Sequence, residues 1–98
     1  MDAVEVRHQP ERHRFVAVVE GREAYLEYGQ EGAALDFMHT FVPLELRGRR
    51  LAEQVVRAGF EYARQHGMTV LPSCPYVWGA FLRRYPEWQE LVDDAWDG

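Results

Sequence analysis

The pattern of hydrophobic residues in this chain changes near Arg49, from short alternating or wholly apolar runs to the 3.6-residue period of a helix. Before the change, Val4 to His8 alternates briefly, and Arg14 to Glu20 carries a Val- and Phe-rich run closed by Gly21. Glu23 to Tyr28 sets Ala24, Leu26 and Tyr28 against Glu23, Tyr25 and Glu27. A period of two puts neighbouring side chains on opposite faces of a strand, so these three segments read as strands. Hairpin turns are expected at Glu20-Gly21-Arg22 and over Gly29 to Gly32. Ala33 to Val42 reads as a fourth strand, aromatic and β-branched toward its end and stopped by Pro43.

After the change, Leu51, Ala52, Val55, Val56, Gly59 and Ala63 form one stripe while Glu53, Arg57, Glu61 and Arg64 face away. That pattern predicts an amphipathic helix over Arg49 to His66, with Gly67 as its stop. The apolar run Met68 to Leu71 suits a strand buried within a sheet. Pro75 opens a second helix through Val77, Trp78, Phe81 and Leu82 to Tyr85, with its aromatic stripe in the core. Beyond Pro86, a last short helix over Glu87 to Ala95 packs Trp88, Leu91 and Val92. The order β-β-β-β-α-β-α-α is that of an α/β fold, an α+β sandwich. It has a mainly antiparallel sheet of about five strands, whose fourth strand, long helix and fifth strand make a parallel crossover.

Ninety-eight residues with 47% apolar content correspond to one domain over 1–98 with one core. The longest apolar run, Phe15 to Val19, is far short of the about 20 residues a membrane-spanning helix needs. The N-terminal Met1 to Arg7 has neither the basic start nor the apolar middle of a signal peptide, so a soluble cytoplasmic protein is expected. The single cysteine, Cys74, forms no internal disulfide and no Cys-based metal cage, and no other metal-ligand motif is present. A net charge of −5 argues against general nucleic-acid affinity. All 11 basic residues are arginine, and Arg47, Arg49 and Arg50 cluster. Acid collects near the C-terminus in Glu87, Glu90, Asp93, Asp94 and Asp97, read as a solvated face, as are Arg83 and Arg84.

The stretch with chemical content is His39 to Ala52: a strand ends, a loop with Gly48 and three arginines follows, and the long helix begins. The first N–H groups of a helix have no intrahelical acceptor and meet the positive end of its dipole, so this turn favours an anion such as pyrophosphate. Gly48 lets the backbone approach a phosphate closely. A solvated turn has the same composition, so the loop alone leaves both readings open.

Four blocks in order extend the reading: His39-Thr40-Phe41-Val42-Pro43, Arg47-Gly48-Arg49-Arg50-Leu51-Ala52, Cys74-Pro75-Tyr76-Val77 and Tyr85-Pro86-Glu87-Trp88. Together they resemble the GNAT superfamily of N-acetyltransferases, most closely its short single-domain branch, over about residues 14 to 92. The resemblance implies acetyl-CoA as cosubstrate and an amine as acceptor. The pantetheine arm would lie along the fourth strand at Phe41 and Val42, with the pyrophosphate on Arg47, Gly48, Arg49, Arg50, Leu51 and Ala52. Where Arg50 stands, the superfamily usually has Gly or Ala, so this side chain either narrows the cradle or adds charge toward the 3′-phosphate of CoA. Larger members carry helices between the first two strands; their absence here implies an open acceptor site.

Acyl transfer requires a neutral amine, a donor to the thioester oxygen and a proton for the departing thiolate. The position matching the tyrosine that often supplies this proton in larger relatives is Phe81, and spacing does not choose between Tyr76 and Tyr85 as substitutes. Cys74, between a strand end and a helix start, is a candidate proton donor or acetyl acceptor. His39, on the fourth strand beside the expected thioester, is a candidate general base. Both also suit structural roles. The expected function is acetyl-CoA-dependent N-acetyl transfer by a monomer or homodimer, the alternative a non-catalytic CoA-binding module or an interaction domain. His8, His13 and His66 carry no signal.

Overall fold

The computed structural model describes residues 4–96, so Met1, Asp2 and Ala3 of the leader reading and Asp97 of the acidic segment lie outside the described residues. The segments read as strands form a five-stranded sheet of β1 (Val6–Gln9), β2 (Arg14–Val19), β3 (Arg22–Glu31), β4 (Ala34–Phe41) and β5 (Thr69–Leu71), side by side in chain order. Neighbours are antiparallel except β4 and β5, which run parallel and are joined by α1 (Leu51–Gln65). β2 and β3 are joined through Glu20 and Gly21 at φ of 54° and 76°. Two successive positive φ angles give the mirror-image turn whose twist matches that of the strands.

β3 continues past the expected turn because the ladder keeps pairing from Gly29↔Asp36 to Glu31↔Ala34, and the chain reverses only at Gly32 and Ala33. The same ladder is irregular lower down: Tyr28 pairs with Phe37 but Glu27 pairs with His39, which leaves Met38 as an extra residue. A bulge of this kind breaks the alternation of faces. Phe37 and Thr40 therefore lie opposite Tyr28 and Leu26 on the core face, while His39 and Phe41 share the other face with Glu27 and Tyr25.

α1 covers the core face, with Val55, Val56, Phe60 and Ala63 fully buried against Phe15, Leu26, Leu35 and Phe37. At Gly59 the helix lies so close that a Cβ would stand 2.8 Å from side-chain atoms of both Leu26 and Phe37. The second helix is wound differently from expectation. Val77–Phe81 is π-helical and runs into a short α2 (Leu82–Arg84). The wider i→i+5 winding keeps Val77 and Phe81 in the core and turns Trp78 out to 47% exposure, so Trp78 is not a core residue.

The expected last helix is also corrected. Pro86–Leu91 forms 3-10 turns that bury Trp88, after which Val92 becomes extended and bridges to Val70 of β5. Asp93 secures this join, its N–H donating to Val70 C=O at 2.8 Å and its carboxylate accepting from the Thr69 hydroxyl. Beside the C-terminal end of α1, the three histidines without a sequence signal converge on two tyrosines. His8 stacks on Phe15, meets Tyr62 edge-on and is hydrogen-bonded to the Tyr28 hydroxyl; His66 stacks on Tyr62 and His13 on Tyr28. No helix of the described residues is long and apolar enough to cross a membrane.

Candidate active site

β4 and β5 pair only as far as Asp36↔Leu71, and β4 then continues to Phe41 while the chain after β5 bends away. One bond spans the start of the gap, from Cys74 N–H to Phe37 C=O at 2.8 Å. Beyond it the strands splay and a cleft of about 390 Å³ opens. One wall is the end of β4, with Thr40 and Val42; the second is the loop and first turn of α1, with Arg47, Gly48, Arg50, Leu51, Ala52 and Glu53; the third brings Tyr76 and Arg84 from the helix after β5.

The loop wall is built to leave backbone donors free. Leu46 is fully buried and anchors its start. Arg47 is extended and its side chain donates to Val42 C=O at 3.3 Å. Gly48 adopts φ +89°, and no atom stands within 4 Å of where a Cβ would go, so glycine serves the backbone conformation rather than a tight contact. Arg50, which precedes the first turn of α1, is left-handed at φ 62° and makes no side-chain cap. A left-handed non-glycine residue costs about 1–2 kcal/mol. Glycine, which has no Cβ, would not pay that cost at this position.

On the opposite wall, burial, with Glu53 and Tyr85 nearby, pushes the Tyr76 phenol up to about 12, so this hydroxyl keeps its proton at neutral pH. Tyr85 is engaged elsewhere: its hydroxyl donates to Glu53 Oε2 at 2.7 Å, under the Arg57 guanidinium 4.5 Å from its ring centroid. Glu53 also lies 3.8 Å from Arg57 and 3.9 Å from Arg50.

Of the residues singled out from sequence, Val42, Arg47, Gly48, Arg50, Leu51 and Ala52 come together around this cleft. Phe41 and Arg49 point elsewhere: the Phe41 ring packs on Tyr25 at 5.4 Å, and Arg49 pairs with Glu20 at 3.1 Å. Cys74 is 5% exposed in the main core cluster, behind Thr40, whose Oγ1 lies 3.4 Å from its Sγ. His39 is exposed on the far face of the sheet, edge-on to Tyr25, because the bulge at Met38 turns it away from Thr40 and the cleft. Phe81 is buried and stacks on Phe60, not in the cleft. Thr40, Glu53 and Arg84 also line the cleft; Arg84 is exposed, as a solvated face requires, and borders the opening. A hydrophilic residue that returns to a site from a distant element leaves no local signature. Among the described residues, no group of three or more His, Cys, Asp or Glu is placed to hold a metal ion.

The fold has a counterpart among solved structures. An NMR solution structure of a GCN5-like putative N-acetyltransferase from Staphylococcus aureus superposes with a TM-score of 0.70, covering 95% of this chain and 91% of that one at 20% identity, which establishes the shared fold. The sequence model of the GCN5-related N-acetyl-transferase family matches residues 14–91, from the start of β2 to the last 3-10 turn. On that match this chain belongs to the GCN5-related N-acetyltransferase family, and it is an acetyltransferase.

Proposed function

We propose that this protein transfers the acetyl group of acetyl-CoA directly to an amine, with the cleft between the ends of β4 and β5 as its cofactor site. The observation that carries this reading is the juxtaposition, in one cleft, of an uncapped α1 start and an unpaired end of β4. The pyrophosphate rests on the amides of Gly48 to Ala52, where the helix dipole adds about half a positive charge. The pantetheine amides continue the sheet by pairing with the β4 main chain up to Val42. This puts the thioester between Thr40 and Tyr76.

The neutral amine adds its lone pair to the thioester carbon, and the C–S bond breaks. Tyr76 gives its proton to the departing thiolate. The proton shed by the new amide nitrogen returns to Tyr76 through solvent, so the enzyme is unchanged over the cycle. Tyr76 suits this role better than Tyr85, whose hydroxyl is bonded to Glu53. Cys74 then acts by packing behind Thr40, and His39, on the other face, lies outside the transfer path.

Titration calorimetry with acetyl-CoA and CoA, followed by steady-state kinetics with a panel of amines, tests this reading. Saturable binding is expected, with Tyr76→Phe lowering kcat about 100-fold at nearly unchanged acetyl-CoA affinity. Cys74→Ala and His39→Ala should keep turnover. Loss of turnover together with loss of a +42 Da adduct (one acetyl group) in Cys74→Ala would instead establish a two-step route through the thiol. Binding without turnover on any amine would establish the non-catalytic CoA module.

A further inference from the structure

The cleft has arginines on two walls. Arg47 and Arg50 belong to the loop that presents the free amides, whereas Arg84 comes from α2 on the wall facing them. Arg84 has no carboxylate within ion-pair distance among the described residues; its guanidinium only flanks the Tyr85 ring, 5.8 Å from the centroid. The one carboxylate lining the cleft, Glu53, is occupied by Tyr85, Arg50 and Arg57. An uncommitted guanidinium thus faces a cleft whose opposite wall already has backbone donors for an anion. The chain as a whole is acidic, at −5, so basic residues meeting at one opening run against its average composition.

Given the acetyl-CoA reading above, on which this inference rests, the ligand has two separate anionic groups. The pyrophosphate matches the loop wall, leaving the 3′-phosphate as the other charged group. We infer that Arg84 is a specificity-determining residue that binds the 3′-phosphate, so that this protein discriminates CoA and its thioesters from their 3′-dephospho forms. Guanidinium and phosphate match in geometry and charge, and a phosphate monoester carries close to two negative charges at neutral pH. The contact is made from the wall opposite the pyrophosphate loop, so the cofactor is gripped from both sides.

Dissociation constants for CoA and 3′-dephospho-CoA, measured by calorimetry on the full chain and on Arg84→Gln, Arg84→Lys and Arg83→Gln, test this. The unmodified protein should prefer CoA by about tenfold or more. Arg84→Gln should bring CoA down to the dephospho-CoA level without changing dephospho-CoA itself; Arg84→Lys should keep part of the preference, and Arg83→Gln all of it. Equal binding of the two ligands by the unmodified protein overturns the inference and leaves the cofactor reading standing. So does an equal loss for both ligands in Arg84→Gln, which would assign Arg84 to the part they share. Failure of the unmodified protein to bind either ligand overturns the cofactor reading, and this inference with it.

Discussion

The two ends of α1 are finished in opposite ways. At the C-terminal end, His66 N–H donates to carbonyls of the last turn, its ring lies 2.9 Å from Tyr62 C=O, and Met68 N–H returns to Ala63 C=O at 2.8 Å. Gly67 at φ +66° makes that return possible, as in the left-handed stop common to helices. At the N-terminal end the left-handed residue is Arg50, no side chain caps the turn, and three arginines stand near the free amides. One end is closed by the protein's own N–H groups and rings. The other is left open, and the stability forgone there is available to a ligand.

A matched pair of substitutions tests that contrast most severely. Gly48→Val and Gly67→Val each force a β-branched residue into a positive φ, and at neither site does any atom stand within 4 Å of the position of a Cβ. Each is expected to cost about 1–2 kcal/mol of stability by chemical denaturation. Only Gly48→Val should also lose CoA affinity, by tenfold or more. Equal affinity loss in both would mean that the ends are not functionally distinct.

The stripe of α1 was plain in the sequence because its period holds along the helix, and Leu51, Val55, Val56, Gly59 and Ala63 are all buried as that period requires. The loop from Arg47 to Ala52 was legible for a related reason: a glycine before a helix start is a local pattern with a local cause. That His39 faces away from the cleft could not be read from its place on the fourth strand, because alternation along a strand assumes an unbroken ladder. One inserted residue at Met38 exchanges the faces of everything after it, and no residue type announces the insertion. Arg84 and Glu53 were missed because their meeting depends on how the helix after β5 returns to α1. The π winding at Val77–Phe81 hid Trp78 in the same way, since an α-helical period put it on the buried stripe.

Arg50→Gly gives a smaller effect of opposite sign. Relief of the left-handed strain, less the extra freedom of glycine in the unfolded chain, should raise stability by about 0.5–1 kcal/mol, read as a higher denaturation midpoint. A loss of stability would mean that the guanidinium's contact with Glu53 outweighs the strain.

The smallest effect belongs to the closed end and to pH. Burial holds His8 below its ordinary value of 6.5, with His66 adding to the shift and Glu11 opposing it. The folded chain therefore binds fewer protons than the unfolded one between that lowered value and 6.5, so His8 favours folding above 6.5 and withdraws that support as the pH falls through this range. The thermal midpoint should decline more steeply between pH 7 and 5 in the unmodified protein than in His8→Gln; parallel declines would remove His8 as the cause.

The bridge between Val70 and Val92 covers one margin of the sheet. A strand at the margin of a sheet presents unpaired backbone groups that can recruit a neighbouring chain. β5, with three residues, is such a margin, and the segment around Val92 and Asp93 fastens onto it as a selvedge. Among the described residues, the margin left unpaired is β1, four residues long, with Arg7 inside it paired to Glu5 just before it. A tag or fusion that strains the last residues would thus act at a distance from the chemistry, by unpicking a seam whose loss favours self-association.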